Sequence, residues 1–169
     1  MRRKLQMAVL TAVVAPALSA QTPPAAQPQA NPCAAPEFSQ FDFWVGSWDV
    51  YGPRGKQVGT SLIEKVYGCG VRENWKPFTP ADGGSLNIYV PATKKWEQFW
   101  IDRSGSRAYF TGSWNGSAMV MTGDWGAPTR MTYTPNTDGS VRQLVEQSND
   151  QGKTWTTAYD FTYRPQKAK

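Results

Sequence analysis

Residues 41–50 read FDFWVGSWDV, and this stretch marks where the folded part of the chain begins. Its first half is crowded with aromatic side chains. From Gly46 to Tyr51 the residues are of the kinds that pair in β-sheets. We therefore predict an aromatic segment followed directly by a first strand over residues 46–51.

Short segments of the same type recur from this point to the end of the chain. They are rich in Val, Ile, Thr, Tyr, Phe and Trp, and Gly, Asn, Asp and Pro separate them. No run of useful length has the period of a helix. The further predicted strands cover residues 60–67, 71–78, 85–90, 96–102, 107–114, 118–123, 130–133, 140–148 and 154–164.

Glycines in the connections predict tight hairpins. The turns Asp82-Gly83-Gly84, Ser104-Gly105, Asn115-Gly116 and Asp138-Gly139 place glycine where a hairpin needs a positive φ. Consecutive strands should therefore pair as a meander, and closure into a barrel would remove the unpaired edges. The predicted fold is all-β, a single antiparallel up-and-down barrel of about ten strands.

The segment before the first strand is rich in phenylalanine. Phe38, Phe41 and Phe43 follow one another closely within residues 36–43. A short N-terminal helical turn that plugs the base of the barrel would bury all three rings. We expect such a plug.

The N-terminus has the pattern of a secretory signal peptide. Residues 1–4 read MRRK, an apolar stretch over 7–18 is too short to cross a bilayer, and Ser19-Ala20 follows. We predict a signal peptide over 1–20, a flexible leader rich in Pro, Ala and Gln over 21–36, a barrel domain over 37–165 and a tail over 166–169. No later apolar run approaches the length of a membrane span. The expected location is periplasmic or secreted.

The formal charge of +5 does not point to nucleic acid. Of the 18 basic side chains, five lie near the ends, at positions 2, 3, 4, 167 and 169. The remaining 13 basic side chains are equal in number to the 13 acidic ones. Because this surface is balanced, we predict no nucleic-acid partner.

Cys33 and Cys69 are the only cysteines. In an oxidising compartment the simplest interpretation is that they pair in a disulfide, which would pin the leader onto the barrel. A reactive or metal-binding thiol is the alternative. The chain contains no histidine that could activate or accompany such a thiol.

The Gly46-Ser47-Trp48 sequence on the first strand resembles the signature of the calycin superfamily. In that signature a basic residue near the end of the last strand covers a tryptophan at the barrel base, and Arg164 is placed to cover Trp48. The runs FDFWVGSWDV, GCGVRENW, SLNIYVPATKKWEQFWID, DGSVRQLVEQSNDQGKTW and YDFTYRP resemble an uncharacterised family of bacterial exported proteins with a lipocalin-like fold. The likeness covers nearly all of residues 38–165, and it implies a fold but no activity.

Nitrobindins, a related group of calycin barrels, hold haem through a histidine. This chain has none, which argues against haem, although ligation of haem by a tyrosine stays formally possible. We predict no cofactor.

Residues 148–155, SNDQGKTW, match the Asp-box, a hairpin pattern familiar from sialidase propellers. In this pattern Asp150 bonds turn amides, Gly152 supplies a positive φ and Trp155 packs beneath the hairpin. Since the motif lies away from the catalytic residues in sialidases, a structural role is the expectation here.

The absence of histidine also limits the possible chemistry. It excludes Ser-His-Asp triads, Cys-His pairs and imidazole metal sites, and we predict no metal. Acid–base work would fall to carboxylates, tyrosine or lysine. Carboxylates on predicted strands are Glu64, Glu73, Glu97, Asp102, Glu146 and Asp160. Two of them could form a glycosidase-like pair across a lumen, or all could lie on outward faces or in ion pairs.

Strand alternation suggests a lumen with polar groups beside aromatic rings. Gln98, Trp100 and Asp102 share one face of their strand, and Glu97, Phe99 and Ile101 share the other, so that neither face is cleanly apolar. Such mixed linings are common in ligand pockets. The candidate ligand-binding residues are Glu73, Trp75, Asn87, Tyr89, Gln98, Trp100, Arg130 and Gln143, with Glu146 as an outlier on the other face of its strand. A buried polar network joined to core packing is the alternative interpretation.

Three functions are compatible with these patterns. The first is a non-enzymatic exported protein that binds a small amphipathic or aromatic molecule in the barrel lumen. The second is a small lyase, isomerase or hydrolase that uses carboxylates or tyrosines in the same cavity. The third is a structural envelope module with a filled barrel and an exposed aromatic patch.

Overall fold

Ten antiparallel strands close into an up-and-down barrel in the structure, a computed structural model that describes residues 31–167. The predicted fold class is therefore confirmed. The strands are β1 (Gly46–Tyr51), β2 (Gln57–Val66), β3 (Gly70–Pro77), β4 (Gly83–Val90), β5 (Lys95–Asp102), β6 (Arg107–Trp114), β7 (Met119–Asp124), β8 (Pro128–Pro135), β9 (Val141–Gln147) and β10 (Thr156–Pro165). The predicted signal peptide, residues 21–30 of the leader and residues 168–169 lie outside the described part of the chain.

Each strand pairs with the next one in sequence, and β1 pairs with β10 to close the barrel, with Val50 opposite Tyr163. The β1–β2, β3–β4, β5–β6, β7–β8 and β9–β10 connections therefore lie at one end, which we call the mouth. The N-terminal segment and the other connections lie at the opposite end, the base. Successive residues on each strand alternate between the lumen and the outer face.

Two 3₁₀ turns, Pro36–Ser39 and Asp42–Trp44, come directly before β1, as the plug prediction requires. Phe41 and Trp44 are fully buried, Phe38 is 7% exposed and Phe43 packs against the core. We call these four residues the base plug. Phe41 stacks on Trp44 with ring centroids 5.1 Å apart. The plug fills the base with aromatic side chains.

The disulfide between Cys33 and Cys69 is present, as predicted, with Cα atoms 5.5 Å apart. It joins the segment before the plug to the β2–β3 turn at the base. Lys65 on β2 also holds the plug, because its Nζ donates to the Phe38 carbonyl at 3.1 Å and to Asp42 at 2.6 Å. No helix within residues 31–167 is long and apolar enough to cross a membrane.

Gly46 and Trp48 form a close contact at the start of β1. A Cβ at position 46 would lie 3.3 Å from the Trp48 indole, so a residue with a side chain would crowd the ring. The indole Nε1 donates to the Trp44 carbonyl at 2.9 Å, which ties β1 to the base plug.

Arg164 does not cover Trp48, so the expected contact between these two residues is wrong. Tyr163 points into the lumen and is 2% exposed, and strand alternation turns the next residue outward. The Arg164 guanidinium lies over the Tyr51 ring, 4.7 Å from the ring centroid. The cation–π contact therefore joins β1 to β10 on the outer surface.

On β4 the polar face is turned inward and the apolar face outward, and β5 turns Gln98 inward and Phe99 and Ile101 outward. Asn87 and Gln98 are 2% exposed inside the barrel, opposite one another in the register. The apolar residues on the outer face are 40 to 55% exposed and comprise Leu86, Ile88, Phe99, Ile101 and, on β6, Tyr109.

The turn glycines are only partly as predicted. Gly105, Gly116 and Gly139 have φ angles of 79, 99 and 80° in their hairpins. Gly83 belongs instead to β4, where a Cβ would lie 2.7 Å from the Trp100 ring. Its lack of a side chain makes room for that indole.

Candidate functional site

A cavity of about 700 Å³ occupies the half of the lumen nearest the mouth. Its walls divide into an upper and a lower layer. The upper layer contains five rings, which we call the aromatic collar: Trp75, Trp100, Trp125, Tyr159 and Phe161. The lower layer contains hydrogen-bonded side chains, which we call the polar floor: Glu73, Gln98, Tyr133, Gln143 and Tyr163.

The collar is a continuous chain of ring contacts. Trp75 stacks on Phe161 at 5.9 Å between centroids, and Phe161 contacts Tyr159 at 5.5 Å. Trp125 lies 6.0 Å from both Tyr159 and Trp100. These separations lie within the range in which aromatic pairs attract each other. The rings therefore form one mutually supported apolar wall.

A β-bulge places Tyr159 in this wall. Thr157 pairs with Glu146 on the outer face, but the register then shifts so that Tyr159 pairs with Val145, which points inward. A bulge inserts one extra residue and so changes the face to which the following side chains point. Tyr159, Phe161 and Tyr163 consequently line the lumen together.

Two of the three indole N–H groups of the collar already donate hydrogen bonds within the protein. Trp100 Nε1 donates to Asp102 Oδ2 at 3.2 Å, and Trp125 Nε1 donates to Ser106 Oγ at 3.0 Å. These two rings therefore offer a molecule in the cavity their π surface and no free N–H donor.

The polar floor is organised around the Tyr133 hydroxyl. Its oxygen accepts hydrogen bonds from Gln98 Nε2 at 3.3 Å and from Gln143 Nε2 at 3.0 Å. Gln143 Oε1 in turn accepts a hydrogen bond from the Tyr163 hydroxyl at 2.8 Å. Because both amides donate to the Tyr133 oxygen, the hydroxyl proton points to Met131 Sδ, 3.7 Å away. Sulfur is a weak acceptor. The hydroxyl proton is thus available to a stronger acceptor.

Glu73 is the buried carboxyl of the floor and is 5% exposed. It accepts hydrogen bonds from Ser85 Oγ at 3.1 Å, from Ser61 Oγ at 3.3 Å and, more weakly, from the Tyr163 hydroxyl at 3.4 Å. None of the ion pairs among residues 31–167 includes this carboxyl. Burial raises the pKa of Glu73 from 4.5 to about 7, against the smaller effect of the hydroxyl donors.

The floor phenols stay protonated. Burial raises the pKa of Tyr133 and of Tyr163 well above the usual range, and the nearby Glu73 charge acts in the same direction. They can donate or accept hydrogen bonds, but they do not ionise near neutral pH. Glu73 is the floor group whose charge changes there.

The base plug closes the cavity from below. The Tyr133 ring packs 4.8 Å from Trp44 and 5.1 Å from Phe41. The lumen is therefore filled at the base and open towards the mouth.

The structure brings many of the predicted binding residues together. Glu73, Trp75, Gln98, Trp100 and Gln143 line the cavity. Asn87 lies behind the floor, where its Oδ1 accepts a hydrogen bond from Gln98 at 2.7 Å. Tyr89 lies at the base, 5.4 Å from Phe38 and 6.3 Å from Trp96.

The placement of Arg130 in the lumen is wrong, and Glu146 likewise lies outside. Met131 and Val145 point inward, so their neighbours Arg130 and Glu146 point outward. They pair there at 2.9 Å, and the Arg130 guanidinium lies 4.6 Å from the Trp155 ring centroid. This is a surface contact of the β8–β10 sheet.

Several lining residues were not predicted, above all Tyr133, Tyr163, Trp125, Tyr159 and Phe161. Tyr163 and Phe161 share a face of β10, which alternation could have revealed. Trp125 lies in the Trp125-Gly126 turn at the mouth, and a tryptophan in a short turn was the available signal.

The Asp-box hairpin lies at the mouth between β9 and β10. Asp150 accepts hydrogen bonds from the Thr154 amide at 2.7 Å and from the Ser148 hydroxyl at 2.8 Å. Gly152 has a φ of 88°, and its Cα faces the Trp155 ring, which a Cβ would approach to 3.7 Å. The hydrogen bonds lower the pKa of Asp150 to about 2.

The remaining strand carboxylates lie away from the floor. Glu64 pairs with Arg72 and Asp160 pairs with Arg142 in exposed ion pairs. Asp102 lines the cavity at the mouth, where hydrogen bonds from Ser104 hold its pKa below the usual range. Glu97 is on the outer face beside Tyr109. No glycosidase-like pair is present on the floor.

A comparison with protein-family models gave no match, and a comparison with curated proteins gave no match. The resemblance to lipocalin-like exported proteins and to nitrobindin-like barrels therefore stays a prediction.

Proposed function

We propose that this protein binds one small amphipathic or aromatic molecule in the barrel lumen. The observation that carries the proposal is the cavity of about 700 Å³ between the aromatic collar and the polar floor. Ligand pockets commonly measure about 300 to 1,000 Å³ and combine apolar walls with a few oriented polar groups. A filled barrel would suit a purely structural module better.

The two layers match the two parts of an amphipathic ligand. The collar supplies apolar surface for a flat or flexible body. The floor supplies the Tyr133 donor and the Glu73 carboxyl for a polar end. A ligand would therefore enter with its polar end first.

An extracytoplasmic location is part of the proposal. The Cys33–Cys69 disulfide supports an oxidising compartment. The signal-like pattern of residues 1–20 points in the same direction. The lipocalin-like exported family that the chain resembles also has such a location.

Calorimetry with two neutral probes tests the proposal. Naphthylmethanol offers a flat body and dodecanol a flexible one, and we expect at least one to bind with one-to-one stoichiometry. Binding should show a negative heat-capacity change, because apolar surface is buried. Failure of both probes, and of a cationic probe with the same flat body, to bind would overturn the proposal.

A matched pair of variants locates the binding. Val145→Trp introduces a large side chain from an inward position of β9, and Leu144→Trp adds the same side chain on the outer face. Binding should be lost in the first variant and kept in the second. Equal binding by both folded variants would place the probe outside the lumen.

A second candidate function is acid–base catalysis in the same cavity. The observation that favours it is Glu73, which lines the cavity with a pKa of about 7 and can exchange a proton at neutral pH. Solvent deuterium should then enter naphthylacetone next to its carbonyl group, and Glu73→Gln should abolish this exchange. Absence of exchange into the bound ketone would leave binding as the function.

A further inference from the structure

We propose that the cavity selects ligands that carry a protonated amine on an apolar body, with Glu73 as the counter-charge. The inference rests on the proposed binding function and names the class of ligand. It follows from the geometry of the floor, the collar and the charged groups that line the cavity.

Glu73 has no cationic partner in the described part of the chain. Its hydrogen-bond donors are the neutral hydroxyls of Ser61, Ser85 and Tyr163. A buried carboxylate without a cation is costly, because the hydroxyls replace only part of the water that burial removed. An ammonium group above the floor would supply the missing charge and donate to the same carboxyl.

The collar favours a cation on its way to the floor. Aromatic rings attract cations through their π electrons, most strongly at tryptophan and in desolvated sites. Because the N–H groups of Trp100 and Trp125 are already bonded, these residues present their π surface to the cavity. A collar of this kind accommodates both a flat apolar body and a positive charge.

The charges of the lining oppose an anionic ligand. Glu73 and Asp102 are the carboxyls of the cavity, and Lys56 at the mouth is the basic side chain there. None of the basic side chains that the structure describes lies on the floor. A carboxylate ligand would therefore bring its charge towards Glu73 without gaining an ion pair.

A change of pH should reveal this pairing. The groups that face Glu73 from β2, β4 and β10 are hydroxyls, and Tyr133 and Tyr163 remain protonated because their pKa values are raised. Asp102 stays ionised, since its pKa is lowered. Below a pH of about 7, Glu73 is protonated and must release its proton when an ammonium binds. Amine affinity should therefore fall about tenfold per pH unit below that point.

Three probes with one body test the inference by calorimetry on the full chain. Naphthylmethylamine is cationic, naphthylmethanol is neutral and naphthoate is anionic. At about one pH unit above the Glu73 pKa, we expect the amine to bind at least about tenfold more tightly than the alcohol. Naphthoate should bind most weakly.

Variants then assign the preference to Glu73. Glu73→Gln keeps the size of the side chain, and it should bring amine affinity down to that of the alcohol and remove the pH dependence. Glu97→Gln, the matched change on the outer face, should leave the preference intact. A circular dichroism spectrum like that of the unaltered protein would show that Glu73→Gln is folded.

The outcomes separate the two proposals. If the alcohol binds as tightly as the amine in the unaltered protein, the amine inference is wrong and the binding function stands. If neither neutral probe nor amine binds, the binding function itself fails. If Asp102→Asn removes the preference and Glu73→Gln does not, the cation is held at the mouth and Glu73 is not its partner.

Discussion

The base and the mouth of this barrel are built from similar residues for different purposes. At the base, Phe41 and Trp44 are fully buried and packed on Tyr133. At the mouth, the collar rings contact each other around a space of about 700 Å³, and Tyr159 is 44% exposed. Aromatic content alone therefore does not distinguish a core from a binding site. The difference is whether another element fills the space between the rings.

The polar floor separates these two regions. Below it, packing determines stability, because removal of a buried ring leaves a cavity. Above it, the space already exists, so that loss of a ring should change binding more than stability. Four variants test this division, and the largest effect is expected at the base.

Trp44→Ala should have the largest effect. Loss of this fully buried indole removes its contacts with Phe41, Tyr133 and Tyr163, and such substitutions cost about 3 to 5 kcal/mol. Chemical denaturation followed by circular dichroism would measure the loss. A change of less than about 1 kcal/mol would show that the plug is dispensable for stability.

Replacement of both cysteines by serine should come next. The disulfide closes a loop with a sequence separation of 36, and its removal should cost about 3 to 4 kcal/mol by the chain-entropy argument. Hydrogen exchange should also increase in residues 36–44, because the plug loses one of its anchors. The same stability with and without the bond would refute its role at the base.

Glu73→Gln should change the pH profile of stability. The folded-state pKa is raised, so the native protein binds more protons than the unfolded chain between pH 4.5 and about 7. Unfolding free energy should therefore fall as pH rises through this window, by about 3 kcal/mol from this group. The variant lacks this contribution. Its stability relative to the unaltered protein should increase with pH in the same window, and a constant difference in denaturation midpoints would contradict the assignment.

Trp125→Ala should have the smallest effect on stability. The indole lies in the β7–β8 turn at the mouth and contacts Trp100 and Tyr159 without filling the base. We expect a loss of about 1 kcal/mol in unfolding free energy and a several-fold weaker binding of naphthylmethanol. A destabilisation equal to that of Trp44→Ala would remove the distinction between mouth and base.

Local patterns predicted most of the fold. Alternation and turn residues located every strand to within a few positions, and β1 and β6 were predicted with their observed ends. The phenylalanines before β1 predicted the plug, and the two cysteines predicted their bond. The strands and the plug depend on neighbours in sequence, and the disulfide follows because the chain has no third cysteine.

The candidate site was harder to predict because it depends on register. Glu73, Trp75, Gln98, Trp100 and Gln143 were found because a mixed face of polar and aromatic residues is visible within one strand. Arg130 was placed on the wrong face, because its inward neighbours Met131 and Tyr133 become evident only from the paired strands.

The sequence alone determined that the chain forms short paired strands, an aromatic plug and a cysteine pair. These follow from backbone preferences, the period of two and the inventory of side chains. Only the tertiary structure decided that β4 turns its polar face inward, that a bulge at residues 157–159 brings Tyr159 into the collar, and that Glu73 has no cationic partner within residues 31–167. Closure of the barrel joins residues that are distant in sequence, and it therefore determines which groups meet above the floor.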